Sequence, residues 1–272
     1  AYRWLRETQN YDGSWYSKYL NGHAEDLSKD SNFTAYIASG LWYHYQSSGD
    51  TELLEEMWPI LEKAIDFTLS LQQPTGEVYW AYGKSGRPWP GALIAGSSCI
   101  WQSIRNGMKI AELLGLEKSE WGIASDELVH AIKEHPDLFD RFGEDSQCFA
   151  TSWFYPVLAG VMEGVKAQER ILSQWDNFVI DDWGCKCVST APWVTVAETC
   201  ELIMSLCLAG MQDRANLLLD WIIKLRDPSG GFKTGIKLPE EIIWPEEKNT
   251  WTSASVVIAV MTLIKSANKG YG

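Results

Sequence analysis

Apolar residues recur along the chain at intervals of three and four, and charged residues gather on one face of some segments and vanish from others. That periodicity predicts ten helices, at about 1–8, 31–47, 51–73, 96–114, 118–134, 151–163, 166–176, 195–209, 212–226 and 250–267. No run of alternating polar and apolar residues predicts a strand. Pro59 lies inside the third helix, where it removes an amide and favours a kink or a restart.

The connections fall into two classes that alternate without exception. Short, glycine-marked turns lie at Gly49-Asp50, residues 115–118, Gly164-Val165 and Gly210-Met211. Long loops fill 9–30, 74–95, 135–150, 177–194 and 227–249. Helix character alternates in step. Segments 33–43, 153–162 and 251–264 carry no charge and predict buried helices, whereas 51–73, 118–134, 166–176 and 212–226 carry charged faces. Antiparallel hairpins with the even-numbered helices inside and the odd-numbered ones outside describe an all-α fold, an α/α toroid with every long loop on one rim. The reading is one toroidal domain over 1–272, an incomplete or full six-hairpin barrel. Because the chain opens inside a helical pattern, a missing upstream stretch is expected. An α-solenoid of helical pairs is the alternative, although solenoid repeats have more even loop lengths.

One motif recurs. Residues 4–15, WLRETQNYDGSW, run from a helix end through Gln9 and Gly13 to Trp15. Residues 67–80, FTLSLQQPTGEVYW, repeat it with Gln72, Gly76 and Trp80. Residues 221–232, WIIKLRDPSGGF, are a weaker copy with Arg226 and Phe232. All three stand where an outer helix feeds a rim loop, so a structural role is expected: the glutamine satisfies helix-end carbonyls and the ring seals the hairpin. The pattern resembles the glutamine–tryptophan repeat of the terpenoid cyclase and protein prenyltransferase toroids. Residues 49–80, with TELLEEMWPILEKAIDF, also resemble six-hairpin glycosidases. The order DSNFTAYIASGLW, PWVTVAETCEL, IIWPEEKNTWTSA resembles bacterial proteins labelled prenyltransferases. The resemblance implies a toroid over nearly the whole chain. For activity the sequence departs from the cyclases and transferases. It has no Asp-x-Asp-Asp or Asp-Asp-x-x-Asp motif, Asp181-Asp182 is only a pair, and histidines at 23, 44, 130 and 135 form no zinc set with Asp and Cys.

A net charge of −13 argues against nucleic acid or an anionic membrane as the main partner. The greasiest run, residues 256–264, falls short of a bilayer span, so no membrane span is expected. No leader pattern follows Ala1, and the six cysteines are too scattered for a disulfide framework, so a cytoplasmic location is expected. Cys185-Lys186-Cys187 lacks the paired spacing of a zinc site, and Cys200 and Cys207 read as buried free thiols. No metal or cofactor is implied.

Chemistry concentrates on the rim. Eight of the 15 tryptophans fall there (Trp15, Trp80, Trp89, Trp153, Trp183, Trp193, Trp244 and Trp251), which predicts a pocket with flat aromatic walls. The inner helices begin with Asp30-Ser31-Asn32, Ser97-Ser98, Thr151-Ser152, Thr195 with Glu198, and Asn249-Thr250, residue types that also serve as caps. Such a mixture suits a polyol such as a sugar better than a bare isoprenoid chain. Glu198 and Glu201 share a face of an otherwise uncharged helix. Thr195-x-x-Glu198 also reads as a capping box. Glu201, deeper, needs a partner such as Arg105 or a raised pKa. The expected catalytic residues are Glu198, Glu201 and Asp30, since two carboxyl groups meet the need of glycoside hydrolysis for an acid and a base or nucleophile. Asn32, Glu77, Trp80, Arg105, Trp153, Asp182, Trp193, Trp244, Glu246, Glu247 and Trp251 are expected to bind substrate. The leading function is an enzyme that hydrolyses a carbohydrate or glycoconjugate, with a small molecule or glycan as its partner. The alternatives are a divergent prenyltransferase or terpene cyclase-like enzyme and a non-catalytic binding module.

Overall fold

Side chains that favour helix starts begin the first long helices. Asp30 accepts from the Phe33 amide at 2.8 Å to open α2 (Ser31–Ser48), and Asp50 accepts from the Leu53 amide at 3.0 Å to open α3 (Thr51–Leu69). The computed structural model describes residues 1–141 and 148–269, and contacts divide the chain into units Ala1–Gly143 and Glu144–Gly272.

In the first unit, α1 (Tyr2–Thr8) precedes α2 and α3, and α4 (Ile94–Leu113) and α5 (Ser119–Glu134) follow. The helix α2 packs on both α3 and α4, and α4 packs on α5. Pro59 leaves α3 unbroken. That helix buries Leu54, Met57, Leu61, Ala64, Ile65 and Phe67, the three-and-four spacing of one apolar face. Two antiparallel ribbons occupy the loops: β1 (Lys18–Leu20) with β2 (His23–Asp26), and β3 (Lys29–Asp30) with β4 (Ala81–Tyr82).

In the second unit, α6 (Ala150–Leu158), α7 (Gly164–Ser173) and the single turn α8 (Trp175–Phe178) precede α9 (Val196–Leu208), α10 (Gln212–Ile222) and α11 (Thr250–Lys269). The central element is α9, which packs on α6, α10 and α11 and buries ten of its 13 residues. A ribbon of β5 (Val179–Ile180) and β6 (Gly184–Cys185) and a three-stranded ribbon of β7 (Trp193–Thr195), β8 (Gly235–Lys237) and β9 (Ile242–Ile243) fill the loops.

All ten expected helices are present, so the class is all-α with small ribbons. The ribbons themselves were not expected, because strands of two to four residues are too short to show alternation. Two helices expected to be buried are open on one side. On α2, Phe33 and Tyr43 are exposed, and on α11 Trp251, Val257, Ile258, Met261 and Ile264 are exposed. Absence of charge therefore overstated burial. By length and composition alone, Thr250–Asn268 is also apolar enough to cross a membrane, which the shorter run at 256–264 did not anticipate.

The recurring motif is one backbone turn used three times. Asn10, Gln73 and Asp227 each donate their amide to the carbonyl four residues on, at 2.9, 2.8 and 2.7 Å, and each accepts from the glycine three residues on. The residue two past that glycine is buried in every copy: Trp15, Val78 and Phe232. Val78, not Trp80, is thus the counterpart of Trp15, which leaves Trp80 half-buried at the loop. The glutamines tie neighbouring charged-faced helices together. Gln9 Nε2 donates to the carbonyls of Gly13 and Ile60, and Gln72 Nε2 to those of Gly76 and Ala124. At the same two junctions a Cβ on Gly13 would overlap the Lys63 carbonyl, and one on Gly76 would lie 2.6 Å from the Glu127 carbonyl. Both glycines also hold positive φ, +92° and +97°. Gly13→Ala is therefore expected to destabilise by about 3 kcal/mol or more, combining left-handed strain with a backbone clash. Gly230, in the third copy, meets nothing within 4 Å, so Gly230→Ala costs only its strain. Urea melts of the two variants check the contrast.

Candidate functional site

In the first unit, pairing of Asp30 with Ala81 and of Lys29 with Tyr82 sets the start of α2 beside the loop that carries Trp80. The Trp80 carbonyl accepts from both the amide and the hydroxyl of Ser31, at 2.8 and 2.9 Å. Its ring meets Trp89 edge-on, with centroids 5.8 Å apart. Burial pushes the Asp30 carboxyl up to about 6, against amide hydrogen bonds from Phe33 and Asn32 that favour its charged form. On the same helix Asn32 Oδ1 and Thr34 Oγ1, and at the start of α4 Ser97 Oγ, are buried with no hydrogen-bond partner. A buried carboxyl of raised pKa, unpaired polar oxygens of α2 and an indole pair thus lie at the start of α2. Such groups can meet the hydroxyls of a sugar.

Two other residues of this unit lie elsewhere. Glu77 is buried, but its Oε2 accepts from Thr75 and its carbonyl from Gln73, so it belongs to the turn. Arg105 is exposed on α4, in a recess with Met108, Lys109 and Glu112, and does not join the cluster at the start of α2. A recess of about 570 Å³ near the Asp12–Lys29 ion pair is lined by none of the expected site residues.

In the second unit, Glu198 lies in the first turn of α9 and Glu201 one turn deeper. Glu201 is 7% exposed, its Oε2 is buried without a partner, and Tyr155 on α6 donates to the carboxyl. Burial first, and then the charge of Glu198, raise the Glu201 pKa to about 8. Within its own unit, Tyr155 supplies a partner of Glu201. The capping box is not formed, since Thr195 makes no side-chain cap bond and its Oγ1 is unpartnered. Glu198 is half-buried in that turn. Cys200 and Cys207 are buried free thiols, as their apolar helix face implies.

The ribbon beside α9 holds an aromatic pair. Trp193 Nε1 donates to the Trp244 carbonyl at 2.9 Å, the rings meet edge-on at 4.8 Å, and Lys237 Nζ lies 3.9 Å from the Trp244 centroid. Trp251 is 61% exposed at the start of α11. Glu246 is exposed, while Glu247 Oε1 accepts from Asn249 Nδ2 at 3.2 Å. Asn249 also caps α11 through the Thr252 amide. One expectation fails on burial grounds. Trp153 is 4% exposed, stacked on Phe178 at 5.3 Å and bonded to the Arg170 carbonyl, so its indole packs the core. Asp182 sits exposed in the β5–β6 turn, with its carbonyl bonded to Lys224. Sequence reasoning missed Tyr155, because a tyrosine in an apolar helix carries no signal beyond core packing.

No family model matches the chain. The MMP endo-(1,4)-3-O-methyl-alpha-D-mannosidase of Mycolicibacterium hassiacum is 40% identical over 269 residues, spanning 98% of this chain and 73% of that protein. The chain belongs to that mannosidase family. Among solved structures, a D-mannose isomerase superposes with a TM-score of 0.73 at 9% identity, covering 97% of this chain and 78% of that one. A GH63 mannosylglycerate hydrolase from Thermus thermophilus, solved with glucose, gives 0.69 at 13% identity, over 97% and 86%. These likenesses show a fold shared with six-hairpin glycosidase-like proteins. The prenyltransferase and terpenoid cyclase resemblance gains no support from them.

Proposed function

We propose that the chain is a carbohydrate hydrolase that cleaves α-mannosidic links within O-methylated mannose chains by carboxyl acid/base catalysis. Membership in the mannosidase family supports the substrate class. The observation that carries the chemistry is Asp30, a buried carboxyl raised to about 6 beside unpartnered amide and hydroxyl oxygens. A proton donor works best when its pKa lies near the working pH. In glycoside hydrolysis such a group protonates the leaving oxygen, while an ionised carboxylate takes a proton from the attacking water or attacks the sugar itself. Within the second unit, half-buried Glu198 is the carboxyl we assign as base, and Glu201 stays largely protonated at neutral pH. Trp244 and Trp251 present indole faces on which the apolar side of a sugar can lie.

The test is digestion of an α-(1,4)-linked 3-O-methylmannose polysaccharide, with products sized by mass spectrometry. Shorter oligosaccharides are expected from the wild type. Glu198→Gln is expected to lower kcat by about a hundredfold or more, the usual worth of one acid/base group. Wild-type turnover by Glu198→Gln would move the base to another carboxylate of the same unit, Glu247 first.

A further inference from the structure

We infer that the recess of about 570 Å³ in the first unit is a secondary binding site for the polysaccharide, an anchor separate from the start of α2; this rests on the proposed hydrolysis of O-methylated mannose chains. Its size falls among small-molecule sites, which span about 300–1,000 Å³. The β3–β4 ribbon forms one wall. Lys29 pairs with Tyr82, and Asp30 with Ala81. Successive side chains of a strand point to opposite faces. Lys29 and Tyr82 accordingly line the recess, while Asp30 and Ala81 are buried on the other side. The last turn of α3 adds Asp66 and Phe67, whose ring meets that of Tyr82 with centroids 5.8 Å apart. Tyr16 brings a second half-buried phenol, its centroid 5.8 Å from Lys29 Nζ.

The lining favours a neutral ligand rich in hydroxyls. Both lysines of the recess already have acidic partners: Lys29 Nζ meets Asp12 Oδ2 at 2.5 Å, and Lys84 Nζ lies 3.6 Å from Asp26 Oδ1. An anion would have to displace Asp12 from Lys29. Asp66 Oδ1 accepts from Trp121 Nε1 at 2.9 Å, which fixes that carboxylate at the recess. Paired ammonium and carboxylate groups still donate to and accept from hydroxyls. The phenol rings can take the apolar side of a pyranose, and exposed Leu27 offers a surface to O-methyl groups. Lys29 and Asp30 are consecutive, so the recess and the assigned proton donor stand back to back on one ribbon. A polymer gripped at the recess is held at raised effective concentration near Asp30, which favours long chains over short ones.

The experiment has two readouts. First, Asp30→Asn, which spares the polymer, is run through native gels containing the 3-O-methylmannose polysaccharide. The gel is expected to retard it, and adding Tyr16→Ala to weaken the apparent affinity by about threefold or more. Equal retardation of the two proteins, or none of either, overturns the anchor. Second, kcat/KM is measured on the polysaccharide and on its tetrasaccharide for wild type, Tyr16→Ala, Tyr82→Ala and Tyr16→Phe. The ratio of polymer to tetrasaccharide is expected to fall by about fivefold or more in both alanine variants and to stay near the wild-type value in Tyr16→Phe, which keeps the ring. A folding defect lowers both terms and leaves their ratio, so a wild-type ratio in both alanine variants overturns the anchor. Polymer left intact by the wild type refutes the hydrolase reading instead, and the retardation then judges the recess alone.

Discussion

Asp30→Asn is expected to abolish measurable hydrolysis while making the protein more stable at pH 8. The two effects come from one cause. The Asp30 carboxyl is raised from 3.8 to about 6 by burial, so the folded state prefers it protonated. Its folded pKa lies above its unfolded one. The folded chain therefore binds more protons between about pH 4 and 6, and stability falls as pH rises through that window. Above it, the ionised group costs about 3 kcal/mol, at roughly 1.4 kcal/mol for each unit of the rise. Asparagine removes that cost and keeps the cap, because Asn and Asp open helices equally well and the Phe33 amide still finds an acceptor. A group retained at such a cost is one that function needs. Turnover should drop by about a thousandfold, within the range for loss of a proton donor, while the melting temperature at pH 8 rises by several degrees. Wild-type turnover in the variant would instead mark Asp30 as a cap alone, and a lower melting temperature at pH 8 would refute the buried, raised carboxyl.

Glu201 gives the second large effect, and it is read without substrate. Its pKa rises from 4.5 to about 8, so the same sign applies over a higher window. Stability contributed by the neutral form is whole below about pH 4.5 and is lost as pH climbs to 8. The magnitude is on the order of 5 kcal/mol, at roughly 1.4 kcal/mol for each unit of the rise. Opposing groups act elsewhere on the scale. Asp12, Asp26 and Asp227 have lowered pKa values and stabilise only by what is lost in acid. The buried thiols Cys185 and Cys200 begin to count only above about pH 9. Between pH 6 and 8.5 the slope of stability should therefore be negative in the wild type and nearly flat in Glu201→Gln. Guanidinium midpoints at four pH values suffice, and parallel slopes in the two proteins would refute the buried, protonated carboxyl.

The helices could be read from sequence because three-and-four spacing survives without knowledge of partners, and because glycine turns marked the short connections. The turn around Gln9 and Gly13 was legible for the same reason, as its residues act locally. Errors arose where burial depends on what lies opposite. Trp153 and Trp193 look alike in sequence, yet one stacks on Phe178 in the core and the other stands on a ribbon against Trp244. Glu77 sits in a loop like Asp30 does, but a local turn engages it. The burial of Asp30 and Glu201 was legible because each is a charge at the head of, or within, an apolar helix, where a charge costs most. The hydroxyl of Tyr155 was not, since its meaning depends on contact with α9.

The most direct measurement is a paired digest of α-(1,4)-linked 3-O-methylmannose polysaccharide by wild type and Asp30→Asn, sized by mass spectrometry at pH 6. Progressive shortening of the polymer by the wild type and none by the folded variant is the predicted result. Polymer left intact by the wild type, or shortened at equal rates by both, would contradict a carboxyl-catalysed mannoside hydrolase.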